Sequence, residues 1–142
     1  MILITGATGF IGRTLVRQLS SIGFPLRALI RPSPRTPRLP KGVPVEVAVS
    51  SLVDRRGLRS AMVGIDIIYH LAGAEQGGPG RGLLEVDIRG TQAVSEVAAE
   101  VGIKRLFYVS HLGADRASAY PVLKAKAIAE EYLRRCGVDV TI

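Results

Sequence analysis

The sequence predicts an α/β protein: a parallel sheet, doubly wound, with helices on both faces. Three observations carry that prediction. Short apolar runs alternate along the whole chain with segments of helical periodicity, beginning with MILIT and then FIGRTLVRQL. Such alternation implies parallel strands joined by helical crossovers. Glycines punctuate the helical segments at Gly23, Gly64 and Gly102, as helix stops. Finally, Gly6, Gly9 and Gly12 fall at every third position where the first apolar run gives way to the first helix.

Taken in order, MILIT is a first strand, and the helix after it carries Ile11, Leu15, Val16, Leu19 and Ile22 on one side. PLRALI is a second strand. Residues 31–42, RPSPRTPRLPKG, space Arg31, Arg35, Arg38 and Lys41 with four prolines, which excludes a helix or an inner strand and leaves a partly polyproline-like loop. VPVEVAV is a third strand. Asp54 is placed to cap a short helix bearing Leu58, Ala61 and Met62. IDIIYHLA is a fourth strand, apolar enough for burial on both faces. A glycine-rich loop, AEQGGPGRG, leads to a long helix with Leu84, Ile88, Thr91, Val94, Ala98 and Val101 inward. KRLFYVS is a fifth strand, a helix runs from about Pro121 to Cys136, and VDVTI begins a sixth strand.

A chain of 142 residues has the length of one domain with a real core. Its lone cysteine, Cys136, excludes an internal disulfide and reads as a small buried hydrophobe. No apolar run approaches the roughly 20 residues of a membrane span, and the N-terminus lacks a signal peptide's charged start. A cytoplasmic protein is expected. The net charge of +7 raises nucleic acid, an acidic membrane surface or a phosphate-bearing ligand. The basic loop carries no aromatic stacking residues, which argues against a single-strand nucleic-acid binder. No cluster of His, Cys and carboxylates has metal-ligand spacing. His70, inside an apolar strand, reads as a satisfied core histidine, and His111 as an exposed loop residue.

The glycine triplet gains meaning from its place between strand and helix. Gly6 permits the tight turn, Gly9 lets backbone approach a pyrophosphate, and Gly12 lets helix and strand pack closely. The helix N-terminus then offers free N–H groups to phosphates. These features predict the Rossmann arrangement and a dinucleotide cofactor, with Thr8, Phe10 and Ile11 among its contacts. An acidic residue roughly 20 positions on would select NAD. This chain has Arg31 there and no Asp or Glu between Gly12 and Glu46. An arginine suits the 2′-phosphate of NADP, with Arg13 and Arg35 as possible assistants, so NADP(H) is expected over NAD(H).

Four stretches, TGATGFIGRTLV, IDIIYHLAGA, VDIRGTQAVSEVAAEVGIKRLFYVSHLGAD and KAIAEEYLRRCGVDVTI, resemble the extended and atypical short-chain dehydrogenase/reductases. The likeness is to the NAD(P)-binding branch that includes NmrA-like regulators and the accessory complex I subunit. It implies that Ala72, with Leu71 and Gly73, lies beside the adenosine half of the cofactor. Family members place an Asp near the adenine amino group where this chain has Ser51, followed by Leu52; the resemblance retains both as contacts. Asp87 stands where many relatives have Asn, and is expected to be a helix-surface carboxylate.

Active relatives use a Tyr, a Lys four residues later and a Ser or Thr after the fifth strand. YPVLK supplies Tyr120 and Lys124 at that spacing. A family glutamate follows its lysine by four residues, however, and Lys126 and Glu130 meet that relation, with Val122 then at the tyrosine position. At about 100° per residue, Lys126 lies roughly 60° from Ala129 in the apolar stripe, and Lys124 roughly 140° away. Lys126 is therefore expected to face the cofactor and Lys124 solvent, with Tyr120–Lys124 as the alternative register. Ser110 is expected to close the fifth strand near the nicotinamide, and Leu112 takes the place of the epimerase relatives' catalytic hydroxyl.

The resemblance implies an NADP-dependent oxidoreductase or epimerase/dehydratase-like enzyme acting on a small molecule. A non-catalytic NADP(H) sensor or assembly factor is the second reading. Residues 1–142 are expected to form the nucleotide-binding part of a longer protein, inactive alone and prone to dimerise.

Overall fold

The computed structural model describes residues 1–34, 38–74 and 82–142. Arg35, and most of the glycine-rich loop after the fourth strand, lie outside the described residues. The strands are β1 (Ile2–Thr5), β2 (Leu26–Ile30), β3 (Glu46–Val49), β4 (Ile67–His70), β5 (Arg105–Tyr108) and β6 (Asp139–Thr141). The helices are α1 (Phe10–Ser21), α2 (Arg55–Ala61), α3 (Thr91–Glu100) and α4 (Pro121–Arg135), with a π-helical segment, Leu83–Gly90, leading directly into α3.

All five pairings are parallel, in the order β3-β2-β1-β4-β5-β6. The chain starts at the sheet centre, winds outward to β3, then crosses to β4 and winds the other way. That order leaves a crevice at the carboxyl ends of β1 and β4, where the winding reverses.

The strand period of two divides β1 between two cores. Ile2 and Ile4 pack with Val16 of α1, together with Leu26 and Ala28 of β2. Leu3 points the other way, towards Ile68, Leu106, Val94, Val97, Leu58 and Leu133. Asp54 caps α2 as expected, accepting from the backbone N–H groups of Arg56 and Gly57 at 3.1 Å each. Pro121 opens α4, where its missing N–H costs nothing.

Two helices depart from the sequence reading. In α1 the buried face centres on Gly12 and Val16, and Ile11 and Ile22 are 53% and 68% exposed. Ile11 lies in the first turn and Ile22 is the C-cap. The expected long helix is π-helical over Leu83–Gly90. Its i→i+5 turns are wider than α turns, so the 100° spacing no longer places side chains. Leu83 and Asp87 point inward, whereas Leu84 is exposed.

Candidate functional site

The carboxyl ends of β1 to β4 open into a cleft of about 600 Å³. Gly6 turns the chain out of β1 with φ +70°, and a Cβ there would fall 2.6 Å from the Leu71 carbonyl carbon. Only glycine satisfies both demands. A Cβ on Gly12 would overlap the Gly6 carbonyl oxygen, so α1 docks on the turn because position 12 has no side chain. Gly9 is the N-cap of α1 and supplies no side-chain cap. No acidic residue lies in the first turn. The leading N–H groups of α1 therefore present an uncapped, positively polarised end to the cleft.

The β2 side contributes Ile30 and the exposed Arg31; the turn after β3 contributes Ser51, Leu52 and Val53. The carboxylate closest along the chain to that turn, Asp54, is committed to capping α2. Glycine turns and an uncapped helix end suit the pyrophosphate of a dinucleotide. Among the described residues, no group of His, Cys, Asp and Glu could hold a metal ion.

Deeper, beneath the turn after β4, polar side chains form a buried cluster. Lys126 Nζ lies 3.0 Å from Asp87 Oδ1, with the two side chains 4% and 0% exposed. Asp87 Oδ2 accepts from the Ala74 N–H at 2.9 Å. Lys126 Nζ stands 5.2 Å from the Tyr108 ring centroid. His70 links Thr5 at 2.7 Å to Thr91 at 2.9 Å. Burial, assisted by the charge of Lys126, lowers the His70 pKa to about 3, so His70 is neutral. Burial likewise pushes the Tyr108 phenol above its ordinary range, with Lys126 pulling the other way.

The profile of the NAD(P)H-binding family matches residues 6–142. The chain belongs to that family. It is an NAD(P)-binding Rossmann domain of the extended short-chain dehydrogenase/reductase superfamily. Among curated relatives, it is 37% identical over 114 residues to sterol demethylase protein B of Methylococcus capsulatus, covering 79% of this chain and 34% of that protein. It is 34% identical to ceramide reductase of Caulobacter vibrioides over 142 residues, all of this chain and 44% of the relative. It is 29% identical to the photosystem II assembly factor Ycf39 of Cyanophora paradoxa, covering 99% of this chain and 43% of that protein. The chain thus spans less than half the length of these relatives. The fold matches that of the Bordetella bronchiseptica enzyme WbmH in complex with NAD+, with a TM-score of 0.83 at 18% identity over 98% of this chain and 53% of that one.

Within this NAD(P)-binding domain the sequence-expected residues divide into two sets. Gly6, Thr8, Gly9, Arg31, Ser51, Leu52, Leu71, Ala72 and Gly73 line one cleft. Phe10 and Ile11 stand exposed in the first turn of α1, and Gly12 lies beneath it. Arg13 lies one turn into α1, its N–H bonded to the Gly9 carbonyl at 3.1 Å. Lys124 is exposed and Tyr120 72% exposed, whereas Lys126, expected to face the cofactor, is buried against Asp87 and is not among the cleft-lining residues. The Ser110 hydroxyl donates to Glu130 and is not among the cleft-lining residues. His111 is exposed, its Nδ1–H donating to the Leu112 carbonyl at 2.9 Å. Cys136 is half-buried, its thiol directed to the Leu133 carbonyl at 3.0 Å.

Asp87 corrects the sequence reading: it is not a surface carboxylate but the fully buried partner of Lys126. The π-helical turn carries it inward, and a buried ammonium needs a counter-charge. Sequence reasoning also missed Val53, Gly82, Glu85 and Val86, all of which line the cleft. The last three belong to the start of the π-helical wall, where no α-helical stripe identifies them.

Proposed function

We propose that this domain binds NADP(H) in preference to NAD(H), as the nucleotide-binding part of a longer cytoplasmic NADP-dependent oxidoreductase or epimerase/dehydratase-like enzyme. Arg31 carries the reading: it lines the cleft at the end of β2, where a carboxylate would accept from the ribose 2′-hydroxyl of NAD. The pyrophosphate is held by the Gly6–Gly9 turn and the α1 N-terminus, and the 2′-phosphate by Arg31. A bound nicotinamide dinucleotide supplies hydride transfer; the substrate pocket is completed by residues outside this domain. A charge-assisted contact of this kind is worth about 1–3 kcal/mol. NADPH should therefore bind roughly 5- to 150-fold more tightly than NADH, and Arg31→Asp should erase or invert the ratio. Equal dissociation constants in the parent protein would refute the preference.

A second reading, a non-catalytic NADP(H) sensor or assembly factor, is favoured by one observation. The positions expected to carry the reactive hydroxyls do not converge: Val122 is apolar, Ser110 is bonded to Glu130, and Tyr120 points to solvent. NADPH oxidation assays with quinones and small carbonyls on the whole protein separate the two readings.

A further inference from the structure

We infer that Glu85 reads the base of the bound dinucleotide, accepting a hydrogen bond from the 6-amino group of adenine. The inference rests on the dinucleotide reading above and specifies its adenine end. With the pyrophosphate at the α1 N-terminus and the 2′-phosphate at Arg31, the base must lie further along the β2–β3 side of the cleft. There Leu52 and Val53 form one wall, and Glu85 and Val86 of the π-helical segment form another.

The second wall is fixed in place at three points. A Cβ on Gly90 would come within 3.0 Å of the Leu52 Cβ, so the segment packs directly on the turn after β3. A Cβ on Gly82, at its other end, would come within 3.1 Å of the Ala74 Cβ. Asp87 holds the Ala74 N–H from the same segment. Glu85 is thereby held across from the Ser51–Val53 turn and not on a free arm.

Among the described residues that line the cleft, Glu85 is the sole carboxylate. A carboxylate beside a polyanionic ligand repels it unless it meets a donor. Among the described residues its only ion pair is with Arg89, one turn on, at 3.6 Å between largely exposed side chains, which is a weak restraint. Flanked by apolar walls, an acceptor-only group selects a base edge that donates. Adenine presents an amino group at position 6, and hypoxanthine and guanine present a carbonyl oxygen there.

The test is a fluorescence titration of the protein with NADPH and with its hypoxanthine analogue, in which the 6-amino group is replaced by oxygen. The parent should prefer NADPH by about fivefold to tenfold, the size of a half-exposed charge-assisted hydrogen bond. Glu85→Ala should weaken NADPH binding by the same factor and remove the preference; Glu85 is exposed, so the variant should fold. Equal affinity of the parent for both ligands, or a preference that survives Glu85→Ala, overturns the role of Glu85 alone. An altered NADPH-to-NADH ratio in Glu85→Ala, with base preference intact, also overturns it by placing the carboxylate at the ribose. Failure of the parent to bind either ligand overturns the dinucleotide reading itself.

Discussion

The two halves of the crevice are built by different means. On the side proposed for the adenosine and pyrophosphate, backbone does the work: Gly6 and Gly12 bring strand, turn and helix into contact, and the helix end supplies polarity. On the side proposed for the nicotinamide, below Gly73, the structure is made of side chains drawn from β4, the π-helical segment, β5 and α4. There Lys126 pairs with Asp87, His70 with Thr5 and Thr91, and Tyr108 lies beside Lys126, all nearly out of contact with water. A Cβ on Gly73 would come within 3.3 Å of Asp87 Oδ1 and 3.4 Å of Lys126 Nζ. Glycine therefore separates the cleft from the buried pair. The first half is shaped to receive a ligand; the second is already internally paired.

The difference predicts how each half fails. Lys126→Ala should have the largest effect, because it leaves the Asp87 carboxylate buried without its cation. A loss of about 3–5 kcal/mol of unfolding free energy is expected, read by urea denaturation, against no measurable loss for Lys124→Ala. Equal costs would place Lys126 in solvent and dissolve the contrast. Gly12→Ala should cost about 1–3 kcal/mol through overpacking against Gly6. It should also weaken NADPH binding, which separates a shaping glycine from a buried charge.

pH probes the same side as Lys126. The pKa of His70 is depressed from 6.5 to about 3, so the unfolded state binds the proton more readily. Stability is then fully present above pH 6.5 and falls as pH drops towards 3. The loss by pH 5 should be about 2 kcal/mol. Asp66, held near 2 by Lys104 and the N-terminal ammonium, acts only below the ordinary carboxylate range. A His70→Asn variant should flatten the slope between pH 6.5 and 5. An unchanged slope would assign the titration elsewhere.

Sequence legibility follows the same division. The alternation of strands and helices, the glycine stops and the triplet all report on backbone, and backbone rules are local. They placed the six strands, the α2 cap and the glycine turn. The buried cluster depends on which side chains meet across long sequence distances, and the π-helical segment removes the period that would have revealed it. Asp87 looked like a surface residue because an α-helical count was applied to a wider turn. The same miscount hid Glu85 and Val86. That Lys126 turns inward and Lys124 outward was legible because α4 is regular, but its partner Asp87 was not.

The central claim is that the adenosine half of the crevice carries dinucleotide affinity, with Arg31 at its 2′-phosphate. Calorimetric titration of the protein with NADPH and with 2′-phospho-ADP-ribose, which lacks the nicotinamide, tests it most directly. Dissociation constants within about threefold of each other are expected, because the cleft that receives the ligand is complete without the paired cluster. A loss of about 100-fold or more on removing the nicotinamide would contradict the account and move the binding energy to the Lys126 side.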